Sequence, residues 1–120
     1  MPNQTLQKGF EDLVNFHKLN IDTVYQLLKK LNLNTSLLDR KPNEVSGGEL
    51  QRLSIIRILL LKPVFIFADE MTSRLDPISQ KEVLFLVKNI VEEEGLSLLL
   101  VTHDYEIAQK ISHTMIFLEV

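Results

Sequence analysis

Cysteine is absent from the 120-residue sequence. No disulfide scaffold and no thiolate metal site can be built from it, and the composition suits a reducing compartment. Blocks of positive charge are missing too. The net charge is -3, and no basic run is longer than a pair such as Lys29-Lys30. Nucleic-acid binders carry a basic stripe, so that class of partner is not expected. Long apolar runs are also lacking. The longest, Leu53 to Ala68, is broken by Arg57 and Lys62-Pro63 and falls short of the roughly 20 residues of a membrane span. Met1 to Phe10 is polar and has no apolar segment of the signal-peptide kind. Glycine is scarce, with four in all at positions 9, 47, 48 and 95. Two of the four are adjacent.

A hydrophobic fraction of 45% is ordinary for one modest globular domain. Leu6, Phe10, Leu13, Val14 and Phe16 suggest an amphipathic helix. Asn20 offers the cap of a second, whose face is Ile21, Val24, Leu27, Leu28 and Leu31 at helical spacing. Asn34 to Pro42 is turn-rich, with a short helical piece expected around Leu37-Leu38. A helix should begin at Ser46 and run to about Leu61, with apolar residues on nearly all sides, as in a buried helix. Pro63 stops it. Val64 to Ala68 is a short apolar run without alternation, the pattern of a parallel strand covered on both faces. Asp76-Pro77 starts the next helix, which Gly95 ends. Ser97 to Val101 reads as a second buried strand, Asp104 to Ile111 as a short helix and Thr114 to Leu118 as a third strand. Strands alternating with helices define a parallel α/β arrangement.

The adjacent glycines lie in Val45-Ser46-Gly47-Gly48-Glu49-Leu50-Gln51-Arg52. Ser46-x-x-Glu49 is a capping box and would start a helix in any protein. Capping gains nothing from two glycines in a first turn, where each costs roughly 1 kcal/mol against alanine. Close approach by an anion gains from them, because no Cβ intervenes and the helix end offers free N–H groups and a positive dipole. The two roles are compatible. Asp69-Glu70 ends the first apolar strand. Acids stand at exposed strand ends by chance, yet ligands of open α/β sheets bind beyond the carboxyl ends of strands. There an aspartate can hold Mg²⁺, directly or through water, and a glutamate can orient or deprotonate a water. Ser73-Arg74-Leu75-Asp76 is a turn and helix cap at least. His103, within Val101-Thr102-His103-Asp104, follows the second strand and can donate a hydrogen bond to a phosphate. His17 and His113 have no such context and read as surface or local packing residues.

Taken in order, these pieces resemble the ATP-binding cassette (ABC) ATPases, strongly over about residues 41–118 and loosely over 1–40. The resemblance implies an α/β fold. It corresponds to a partial P-loop NTPase core of parallel strands with the α-helical signature subdomain. Residues 1–62 would form the helical subdomain and 63–120 the partial catalytic core. Ser46, Gly47 and Gly48 would be the signature motif, which in the family contacts the γ-phosphate of ATP held by the opposite subunit. Glu49, Gln51 and Asp76 would also face the nucleotide, Ser73 to Asp76 being the D-loop. Asp69 would be the Walker B aspartate at Mg²⁺, Glu70 the carboxylate acting on the attacking water, and His103 the switch histidine. The run Asp69 to Pro77, with Met71 where most members have proline, is similar to the peptide and nickel importers. So are Pro42 and the segment Met1 to Leu6. Implied partners are a second ATPase subunit, identical or different, and transmembrane permease subunits. These would hold the chain at the inner face of the cell membrane.

No Gly-x-x-x-x-Gly-Lys-[Ser/Thr] occurs in the sequence. The N-terminal half of a cassette, with its phosphate loop, has no counterpart, and that loop supplies most phosphate binding. Weak ATP binding and almost no hydrolysis are therefore expected of the chain alone. A non-catalytic remnant or binding module is the alternative. A chromosome-maintenance or DNA-repair ATPase shares the signature and Walker B logic. Residues 1–40, however, show neither the heptads nor the basic stripe that reading needs.

Overall fold

Helix caps punctuate the first half of the chain. The structure is a computed structural model that describes residues 4–69 and 77–115, with the backbone alone at positions 69, 77 and 79. It divides into two compact units, Met1–Pro63 and Val64–Val120.

In the first unit, α1 (Leu6–Phe16), α2 (Ile21–Lys30) and α3 (Gly47–Leu60) are the α-helices, and two 3₁₀ turns, Thr35–Asp39 and Pro42–Glu44, lie between α2 and α3. The three α-helices and the first 3₁₀ turn each start at a polar side chain that satisfies a first-turn amide. Thr5 Oγ1 accepts from Lys8 N at 3.2 Å, Asn20 Oδ1 from Asp22 N at 2.9 Å and Asn34 Oδ1 from Ser36 N at 2.9 Å. The ends of α1 and α2 share one device. Lys18 (φ 54°) and Asn32 (φ 57°) turn left-handed, and the next amide reaches back, Leu19 N to Val14 O at 2.7 Å and Leu33 N to Leu28 O at 2.8 Å. Helix α3 begins to end in the same way at Lys62 (φ 50°), but Pro63 has no N–H to complete the pattern.

The apolar stripes of these helices meet. α1 packs on α2 and on the first 3₁₀ turn, and α2 packs on α3. Leu6, Phe10, Val24, Leu28, Leu31, Leu53, Ile56 and Leu60 are almost wholly removed from water. Two arginines of α3 tie the seams. Arg57 places its guanidinium 5.7 Å from the centre of the Phe10 ring, and Arg52 Nη1 donates to Leu31 O at 3.3 Å. The expectation that α3 is buried on nearly all sides does not hold. Ile58, Leu61 and Leu50 are exposed, since the unit's other helices cover the face bearing Leu53, Ile56 and Leu60.

In the second unit, β1 (Phe65–Asp69), α4 (Pro77–Glu94), β2 (Ser97–Val101) and α5 (Tyr105–Ile111) follow in order. β1 and β2 are parallel, with Phe65 opposite Ser97 and Asp69 opposite Val101. Gly95 (φ 66°) ends α4 with a backward bond from Leu96 N to Val91 O at 2.9 Å. α4 packs on α5. Leu84, Ile107 and Ile111 form a core against which Leu100 lies. Ala68 stands opposite Leu100 in the register and is buried. Among the described residues, none of the unit's helices packs over the other sheet face. Phe65 and Phe67 are 55% and 59% exposed, and Leu99 and Val101 are 47% and 41% exposed. Coverage on both faces was the expectation from the unbroken apolar runs. The connection from β1 through α4 to β2 lays down one helical layer, and a parallel sheet needs two. Of the expected third strand, Thr114 and Met115 are not in a strand, and 116–118 lie outside the described residues.

Candidate functional site

The candidate residues fall into two groups, one in each unit. The first is the start of α3. Ser46 (φ -70°, ψ 163°) is its N-cap. Its Oγ accepts from Glu49 N at 3.1 Å, and its own N–H donates to Glu49 Oε1 at 2.9 Å. The capping box is thus complete, and it fixes the turn rigidly at the head of a 14-residue helix. Helical hydrogen bonding starts with Leu50 N to Ser46 O at 2.9 Å. The amides of Gly47 and Gly48, in the first turn, have no acceptor within the helix by its geometry.

Gly47 carries the argument beyond capping. It is exposed, it does not adopt positive φ, and a Cβ built on it would meet nothing within 4 Å. Neither backbone conformation nor neighbouring atoms of this chain require glycine there. A Cβ would, however, occupy the space immediately outside the helix end. An incoming phosphate group is suited to that space, where amides and the positive end of the helix dipole converge. Gly48 and Glu49 are half-buried, as is Gln51 one turn on.

The second group lies at the carboxyl ends of β1 and β2. Asp69 is the last residue of β1 and pairs in register with Val101, the last of β2. His103 follows two residues later and is exposed. Its position is set by its neighbours. Thr102 Oγ1 accepts from Asp104 N at 3.1 Å, and Asp104 Oδ1 caps α5 by accepting from Ile107 N at 3.1 Å. These two fixing roles are not part of the sequence expectations, although Thr-x-Asp before an apolar helical run carries the signal for them. The fold therefore brings the Asp69 and His103 backbones to one end of one sheet. Glu70 and Asp76 lie outside the described residues, as does the rest of Ser73 to Asp76. Among the described residues, no cluster of three or more metal-binding side chains occurs.

The other histidines are local. His17 is the C-cap of α1, and its ring meets Phe16 edge-on at 5.0 Å. His113 Nε2 lies 3.3 Å from Glu92 Oε1 at the surface. Glu106 is held below the usual glutamate range, first by its hydrogen bond to Lys110 and then by that to Lys81. It stands on α5, three residues after His103, and braces α5 against α4.

A helical unit with a capped Gly-Gly start, followed by a parallel α/β unit with strand-end Asp and His, defines a cassette-type ATPase architecture. The family described as ABC transporter matches residues 2–73, and the chain belongs to that family. It is 41% identical over 101 residues to the putative oligopeptide transport ATP-binding protein YkfD of Bacillus subtilis, covering 84% of this chain and 31% of that protein. It is 36% identical over 117 residues to the oligopeptide transport ATP-binding protein OppF of the same organism, covering 92% and 38%. A bacterial ABC transporter cassette solved as a dimer superposes with a TM-score of 0.73 at 30% identity, over 91% of this chain and 50% of that one. The chain thus spans about a third of the length of these oligopeptide relatives and half of the solved cassette. No helix among the described residues is long and apolar enough to cross a membrane.

Proposed function

We propose that the chain supplies the signature and Walker B parts of an ATP-hydrolysing site in an ABC importer for peptides or nickel. The single observation that carries this is Gly47, an exposed first-turn glycine for which the chain's own structure has no use. Residues 1–62 act as the helical subdomain and 63–120 as the partial catalytic core. Ser46, Gly47 and Gly48 donate hydrogen bonds to the terminal phosphate of ATP held by a second ATPase subunit, identical or different. Glu49 and Gln51 line that approach, and Asp76 lies at the subunit seam. Asp69 holds Mg²⁺, directly or through water. Glu70 orients or deprotonates the attacking water, and His103 donates to the same phosphate. Bound Mg²⁺ neutralises charge that builds on the transferred group.

The dimeric state of the solved cassette supports the composite site. The relatives named for oligopeptide transport support the peptide assignment. Nickel rests on the local wording around Met71. The methionine import ATP-binding protein MetN of Wolinella succinogenes, 41% identical over 96 residues, supports import more broadly. Attachment is peripheral, at the inner face of the membrane through a permease.

The lack of a Gly-x-x-x-x-Gly-Lys-[Ser/Thr] loop favours a second reading, a binding module without turnover. A chimera separates the two. The matching half of a solved cassette is replaced by this chain, so that the phosphate loop comes from the host. ATP hydrolysis is expected, and Glu70→Gln should lower it by roughly 100- to 10,000-fold while ATP stays bound. A folded chimera without turnover supports the binding module. Turnover unchanged by Glu70→Gln overturns the catalytic role.

A further inference from the structure

We draw no further inference here: the strongest candidate, the exposed apolar sheet face of Phe65, Phe67, Leu99 and Val101, is a docking surface in character, but nothing in the structure shows what covers it.

Discussion

The two units of this chain reach opposite ends of the same physical problem. In the first, three helices and two 3₁₀ turns turn their apolar stripes on one another. Leucines and Phe10 fall to near-zero exposure there. In the second, two strands bury one face under α4 and α5 and leave two phenylalanines of the other face more than half exposed. Apolar residues are plentiful in both. A helix has one stripe to cover and a few helical neighbours suffice, whereas a parallel sheet has two faces and a single crossover supplies helices to one. Closure therefore depends on the number of layers present, and apolar content alone does not secure it.

The largest expected effect contrasts buried with exposed phenylalanine. Phe10→Ala removes a ring that is 1% exposed and carries Arg57 on its face. It should cost about 3–5 kcal/mol in urea unfolding. Phe67→Ala, at a 59% exposed position, should cost only about 0.5 kcal/mol. Equal losses would erase the distinction between the units. Light scattering adds a second readout, because an open apolar face promotes self-association and Phe67→Ser should reduce it.

Glycines in the two units should respond with opposite sign. Gly95→Ala places a Cβ in open space but at φ 66°, which costs about 1–2 kcal/mol. Gly47→Ala meets no clash and no positive φ. It should raise thermal stability by up to about 1 kcal/mol while weakening the ATP-dependent turnover of the chimera. Gly47→Ala that leaves turnover intact would detach this glycine from phosphate approach.

The smallest effect concerns α5. Glu106 ionises more readily in the folded state because Lys110 and Lys81 hydrogen-bond to it. Its folded pKa is depressed. Its contribution is therefore present above the unfolded pKa and is lost as pH falls through the folded value. Lys110→Met should move the Glu106 titration, followed by carbon NMR, up toward the ordinary glutamate range. An unmoved midpoint would remove Lys110 as the principal cause.

Much of the fold was legible because its signals are local. Asn20, Ser46 with Glu49, and Gly95 each act through hydrogen bonds within a few residues, and Pro63 acts by lacking one; the structure places each at the helix boundary expected of it. The ordered motifs likewise pointed to the family. Coverage of faces was not legible. Val64 to Ala68 is apolar throughout, so its pattern cannot say which side meets a helix. Ile58 and Leu61 lie in an apolar run, but their exposure depends on which helices stand beside α3. Neither property is written in the neighbouring residues. The bracing of His103 by Thr102 and Asp104 was missed for a different reason. Thr and Asp flanking a histidine serve equally as solvated loop residues, and only the start of α5 at Tyr105 turns them into a turn and a cap.

A hydroxyl group has one proton and two lone pairs. In Ser46 a lone pair is already engaged by Glu49 N, and the residue's backbone N–H is turned inward to the Glu49 carboxylate. The proton and the second lone pair remain for an outside partner. The first-turn amides beside it can only donate, so the turn as a whole gives hydrogen bonds more readily than it accepts them. An oxyanion gains a donor there, while a metal cation gains little and meets the positive end of a helix. Selectivity for the sign of the visiting charge follows from the helix end that these two hydrogen bonds hold in place.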